Sequence, residues 1–491
     1  MFQKIKNLII GRAINPHEKQ VFHSLSLIAF FAWVGLGADG LSSSCYGPEE
    51  AFLALGNHPY LAVFVALASA LTVFIISAGY SQIIEVFPSG GGGYVVASKL
   101  LSPNVGMVCG CALLIDYLLT VTISIASGTD ALFSFLPVQW QPAKLHFAVA
   151  GVIALTVLNL RGVKESILIL VPIFLTFIVT HFFIIVYAVG THVWNFPQIM
   201  SSINTDIQTA QAEVGLWGIV VLILRAYSIG AGTYTGIEAV SNGLYILRDP
   251  KVKTGKRTML YMSMSLAFTV MGLMLAYLIY SVVPHEGKTL NAVLFSSISQ
   301  QWGVKGYVFV LVSLVAEAML LFVAAQAGFL GGPRVLASMA LDRWFPTKFA
   351  SLSDRLVNQK GILLMGLAAL ATMILTHGSV KFLVVLYSIN VFITFCLSQL
   401  GMVRHWWDVR AQNPQWFKKM CVNGTGLLAT TFILISVTVI KFHEGGWITL
   451  LVTGALVVFA IAIKRHYIAT AKQLKRLNPL IHTVMAGSRP P

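Results

Sequence analysis

Stretches of about 20 apolar residues recur along the whole chain, and that is the length an α-helix needs to cross the hydrocarbon core of a bilayer. They lie near 24–56, 60–86, 103–135, 145–162, 166–190, 215–247, 258–283, 305–332, 361–377, 380–403, 421–440 and 445–463. Lipid satisfies no backbone N–H or C=O, so such stretches must be helical. The expected fold is an all-α membrane protein with twelve transmembrane helices over 24–463, a cytosolic segment 1–23 and a short basic cytosolic tail 464–491. Residue types agree: only 10% of the 491 residues are charged, against about 25% in soluble domains.

The net charge of +15 carries topological information, because the basic residues sit in short segments between apolar stretches. An even number of spans puts both termini on one side. With that side as the cytosol, 27 of the 33 Lys and Arg face inward, Lys144, Lys288, Lys305, Lys381 and Lys441 face outward, and Arg225 falls within a span. Such asymmetry places a multi-pass protein in the cell membrane with both termini cytoplasmic, and no nucleic-acid partner is expected. The N-terminus has only a short apolar patch, Leu8 to Ile10, and no small-residue cleavage site, unlike a signal peptide. Five cysteines without zinc-like spacing imply neither a disulfide framework nor a resident metal. No cofactor is expected. No serine, histidine and acid constellation suggests hydrolysis, the 12 histidines falling mainly in loops and tails, so the chain does not read as an enzyme.

Two spans are too long for plain membrane helices and are interrupted by small and polar residues: LGADGLSSSCYGPEEA, Leu36 to Ala51, and SIGAGTYTGIEAVSNG, Ser228 to Gly243. They are the first and sixth spans. Broken helices at matching positions of two halves point to a LeuT-like five-plus-five inverted repeat followed by two further spans, with a site at mid-membrane between the breaks. A fainter echo pairs Tyr46, Glu50 and Ala51 with Tyr234, Glu238 and Ala239.

Four acids, Asp39, Asp116, Glu238 and Glu317, fall well inside spans, where a carboxylate costs at least ~2.5 kcal/mol. Asp39 lies in the first break, Glu238 in the second half of span six and Asp116 in IDYLLT of span three. Thr120 shares a helical face with Asp116, Thr235 with Glu238, and Tyr117 adjoins Asp116. Tyr46 follows the first break and Tyr387 begins span ten. Carboxylates, hydroxyls and freed carbonyls form a hard-oxygen set that suits a desolvated alkali cation and suits an amino-acid carboxylate poorly. With Asp39 and Asp116 facing such a cation, Glu238 is the acid left to exchange a proton. The plainer alternative is that Asp116 and Glu238 pair with Arg225 or bond between helices, and that Glu317 only packs. The glycine run PSGGGGYVV lacks the Lys-Ser/Thr of a nucleotide loop and reads as a tight turn at a cytosolic gate. PRVLASMALDRWFPTKFASLSDRL, Pro333 to Leu356, has the amphipathic spacing of a segment lying along the inner surface.

The PSGGGGYVVAS segment, the two breaks and the span pattern resemble the amino acid, polyamine and organocation transporter superfamily. Within it GADGLSSSCYGPEEA closely resembles the Asp-x-Leu-Ser-Ser-x-x-Tyr-Gly-x-Glu signature of the KimA-type, proton-coupled potassium importers of the KUP family. The similarity continues in LLIDYLLTVTISIASG, LRAYSIGAGTYTGIEAVSNG and LYSINVFITFCLSQLGM. Gly40 and the Ser44–Cys45 pair depart from the Ala and Val-Ala of that signature. The resemblance implies symport of a potassium ion with a proton across a lipid bilayer. It places the cation-handling acids on Asp39, Asp116 and Glu238 and the oxygen ligands on Tyr46, Tyr117, Thr120, Thr235 and Tyr387. Longer members pair as homodimers through a cytosolic C-terminal domain, a support that Lys464 to Pro491 does not offer. A proton-coupled amino-acid permease and a solute sensor that moves nothing remain alternatives, and a channel is a weaker one.

Overall fold

The structure is a computed structural model and describes residues 27–162, 167–353 and 357–487. The N-terminal lead-in, Lys164, Arg355 and the last four residues of the tail lie outside the described residues.

The first expected span is divided into α1 (Ala29–Ser42) and α2 (Gly47–Leu53). After α3 (Ala62–Val86) the glycine run leads into α4 (Gly93–Leu100) and then α5 (Pro103–Phe133). The first half closes with α6 (Lys144–Leu160) and α7 (Ile167–Thr191). The sixth span comprises the end of α8 (Phe196–Ile229), a 3₁₀ stretch Gly230–Tyr234 and the one-turn helix α9 (Ala239–Asn242). Then follow α10 (Lys251–Ile279), α11 (Leu290–Ser299), α12 (Val304–Leu341), α13 (Gln359–Leu375), α14 (Val380–Asp408), α15 (Trp416–Lys441) and α16 (Trp447–Gly487). Among the described residues the only extended pairing is one bridge between Leu27 and Leu247. Nine helical segments of the described residues are long and apolar enough to cross a membrane. The count of twelve stays an expectation, since α13 and the divided first span fall short by length and two expected spans join in one run from Trp416 to Lys475.

Packing follows the exchange of halves. α3 packs on α10, α5 on α12 and α6 on α13, each on its counterpart five spans later. The α5–α6 contact has its image in α12–α13, α1–α10 in α8–α3, and α5–α14 in α12–α7. This mutual layering places α1, α5, the sixth span and α14 around one centre.

Three sequence expectations need correction. α8 begins at Phe196, long before position 215, and a kink at Gly215 (φ 73°) joins an outer helix to the sixth span. That outer helix straps the 57–61 loop: Asp206 accepts from the Tyr60 N–H at 3.0 Å and lies 2.8 Å from His58 Nδ1, whose Nε2 is 3.3 Å from Glu213. A search for continuous apolar stretches passes over it, because 196–214 is amphipathic, with Phe196, Ile199, Ile203, Ile207, Ala210 and Val214 at helical spacing between polar residues. Second, Pro333–Leu341 is no surface segment but the end of α12, with Pro333, Leu336, Met339 and Ala340 buried. Third, Lys441 is not an outward loop residue. It ends α15 just before a π-turn over Phe442–Gly446 and is fully buried, donating to Ser388 Oγ at 2.9 Å and reaching the Val384 carbonyl at 3.4 Å.

Candidate functional site

The site is assembled where the two breaks touch. The first is shorter and later than the sequence suggests. α1 runs unbroken through Ser42, a 3₁₀ turn covers Ser43–Cys45, and α2 starts at Gly47. Asp39 therefore sits on the last full turn of α1 rather than in the break, and it is buried. The second break passes from Gly230–Tyr234 through extended Thr235 to Gly236 at φ 78°. A side chain at Gly236 is doubly excluded: its φ disfavours L-residues, and a Cβ there would lie 2.6 Å from the Gly40 nitrogen and 2.7 Å from the Asp39 carbonyl carbon. Two backbones thus cross in contact beside Asp39. Glu238 stands at the start of α9, not a turn inside a second half-helix.

The carbonyls freed by the breaks are not simply left open. Ser42 Oγ donates to Asp39 O at 2.7 Å, and Ser44 Oγ to Leu41 O at 2.7 Å. Ser43 Oγ lies 2.5 Å from Gly40 O and 2.7 Å from Thr233 O, bridging the two breaks. In the second break Thr235 Oγ1 donates to Gly232 O at 2.8 Å and Ser241 Oγ to Glu238 O at 2.8 Å. Hydroxyls three residues on therefore occupy the termini as local caps. This shifts the weight of any ion binding from carbonyls, where sequence reasoning had put part of it, to carboxylates and phenols.

All the expected residues converge. Asp39, Asp116 and Glu238 lie within electrostatic reach of one another. Tyr46 faces Thr235, Asp39 and Asp116. Tyr117 faces all three acids and accepts a hydrogen bond from Asn242 Nδ2 at 2.7 Å. The Thr120 and Tyr387 hydroxyls are 3.0 Å apart, joining α5 to α14, and Thr120 also donates to Asp116 O at 3.0 Å. Asp116 Oδ1 and Glu238 Oε2 are buried without a hydrogen-bond partner. Among the described residues no ion pair involves Asp39, Asp116 or Glu238; Arg225, the base they were offered, is half-exposed and pairs with Glu444 at 3.2 Å. Three buried acids with no base, ringed by hydroxyls, cannot all hold a negative charge away from water unless a cation or protons join them.

The sequence missed several neighbours. Asn242 fixes Tyr117, and the glycine run closes on it: Gly91 N–H donates to Ser241 O at 3.3 Å, and a Cβ at Gly92 would lie 2.6 Å from Asn242 Oδ1. The tight turn that the run predicted is local: the Gly90 N–H donates to Phe87 O at 3.0 Å with Gly90 at φ 101°. Tyr80 of α3 faces Glu238. Glu317 is not a lone packing acid either. From other elements, Asn291 Nδ2 donates to it and His181 faces it at 3.7 Å.

Residues 25–463 match the sequence profile of the amino acid permease family. The chain belongs to that family. Over 481 residues, 97% of this chain and 76% of the relative, it is 32% identical to the potassium transporter KimA of Bacillus subtilis (strain 168), which bears out the resemblance seen around Asp39. A shorter match, 35% over 104 residues (20% of this chain, 22% of the relative), links it to the low-affinity putrescine importer PlaP of Escherichia coli (strain K12). Among solved structures, the Eremococcus coleocola manganese transporter in complex with an aromatic bis-isothiourea substituted compound aligns over 95% of this chain and 98% of that one at 14% identity and a TM-score of 0.47. This chain is an integral membrane protein of a transporter family.

Proposed function

We propose that the protein is a proton-coupled potassium importer working by alternating access in the cell membrane, with both termini cytoplasmic. The observation that carries this reading is the baseless cluster of Asp39, Asp116 and Glu238 between two crossing breaks. Asp39 and Asp116 supply the charge that replaces an ion's hydration shell. Tyr46, Tyr117, Thr120, Thr235 and Tyr387 supply neutral oxygens around it. Glu238, beside both acids, exchanges the coupled proton: a monovalent ion faced by Asp39 and Asp116 and one proton on Glu238 together offset two of the three negative charges, and Glu238 is the acid whose protonation can follow the cycle. The likeness to KimA, a potassium transporter over nearly the whole chain, favours potassium among alkali cations. The charge asymmetry of the loops supports the orientation.

Rubidium uptake into vesicles, with and without an imposed pH gradient, tests the reading. Accumulation that follows the gradient is expected. Binding without accumulation would make the protein a sensor, and uptake of amino acids in place of rubidium would make it a permease of the commoner kind.

A further inference from the structure

A second buried polar cluster lies away from the three acids. His181 of α7 and Glu317 of α12 face each other, Nε2 to Oε2, at 3.7 Å, each only 1% exposed. Both facing atoms lack a hydrogen-bond partner. Their other atoms are committed, and each commitment has a direction. His181 Nδ1 lies 2.9 Å from the Phe177 carbonyl, which can only accept, so Nδ1 carries the hydrogen and Nε2 of the neutral ring is an acceptor. Glu317 Oε1 accepts from Asn291 Nδ2 at 3.1 Å, and Asn291 Oδ1 in turn accepts from the Tyr277 hydroxyl. Two acceptors therefore meet across the gap when Glu317 is ionised, and one proton turns the meeting into a hydrogen bond. The walls are apolar: the Phe177 ring lies 3.9 Å from the imidazole, centre to centre, and Phe295 meets it edge-on at 5.2 Å. Such walls give a bridging water few of the partners it needs.

We propose that His181 and Glu317 form a proton-binding site separate from the three-acid cavity, holding one exchangeable proton between Nε2 and Oε2. The proton comes from water and returns to it, with no change in any bond between heavy atoms. Its surroundings tie it to the moving parts. Cys45 at the first break, Glu49 of α2 and Tyr277 of α10 lie within electrostatic reach of Glu317, while Asp130 of α5 lies within reach of Glu49 and is paired with Lys144 at 2.7 Å. Glu49, Asp130 and Lys144 also line an open hollow, which gives protons a polar approach.

A role in uptake rests on the proton-coupled reading above, so the test has one arm that does not. Infrared difference spectra between acidic and alkaline buffer are recorded on the purified full chain, the Glu317→Gln variant and the His181→Asn variant, each checked for a single monodisperse peak. A carboxylic-acid band that appears on acidification, vanishes in Glu317→Gln and shifts in His181→Asn is expected; if one variant does not fold, the other suffices. Spectra that keep every pH-dependent band in the folded variants overturn the proposal, whatever the protein transports. In vesicles the variants should lose pH-driven rubidium uptake about tenfold while rubidium exchange at equal pH stays within about twofold. Undiminished pH-driven uptake also overturns the proposal. Failure of the wild type to take up rubidium would instead remove the transport reading and leave the infrared result standing.

Discussion

The three-acid cavity and the His181–Glu317 pair are both buried, and both contain carboxyl groups, yet they are short of different things. Asp39, Asp116 and Glu238 have hydroxyl neighbours and no base, so ionising them together creates negative charge that an ion or a proton must balance. Glu317 has an imidazole nitrogen opposite it, and neither facing atom has a hydrogen-bond partner. Charge excess selects by size and valence, and a missing hydrogen selects only protons. Burial alone therefore does not define a site; the polarity of the partners does.

The sharpest way to break the comparison is at Asp39. Asp39→Asn keeps the shape and removes one charge, and a unit charge about 4 Å from a monovalent ion is worth roughly 4 kcal/mol at an effective dielectric of 20. Potassium affinity, read by calorimetry on the folded variant, should fall about a thousandfold; unchanged affinity would show that the cavity does not use its charge. Glu238→Gln comes next. It should lower uphill, pH-driven rubidium accumulation at least about tenfold while exchange persists, and full proton-driven accumulation in this variant would leave Asp116 or Glu317 with the coupling role. A third measurement needs no variant. Potassium at about 100 times its Kd should stabilise the protein by about 2.7 kcal/mol, raising the melting temperature in choline buffer, and zwitterionic amino acids should not, because Asp39 repels their carboxylate. Protection by an amino acid alone would reverse the assignment of the cavity. The smallest effect is expected at Arg225→Gln. Its half-exposed pair with Glu444 is worth little, so stability should move by no more than about 0.5 kcal/mol and rubidium uptake by less than twofold; a large loss would mean that Arg225 reaches the acids during the cycle.

The cavity was legible in the sequence because its signals are local. Two runs of small and polar residues five spans apart, and a hydroxyl four residues after Asp116, lie within one or two helical turns of what they explain. Finer placement was not, since Ser42, Ser43 and Ser44 bond back to α1 and extend it past Asp39. Glu317 was opaque for the opposite reason. His181, Tyr277 and Asn291 come from three other elements, and nothing in LVAEAMLLF announces them. Lys441 misled because hydropathy marks it as the end of a span, while the π-turn after it lets the side chain turn inward to Ser388.

In the alternating-access cycle proposed above, a backbone crossing as tight as Gly236 on Gly40 would serve as a pivot. Two rods that touch at one point can turn about it, as scissor blades do, without altering the point itself. Gly40 is eleven residues from Ala29, where α1 begins, a lever of about 16 Å at 1.5 Å per residue. A turn of about 10° on that lever carries the far end through about 3 Å, roughly the width of a water molecule. On the proposed function, opening a path for a bare ion would then require neither a melted helix nor a separation of the acids beside the pivot.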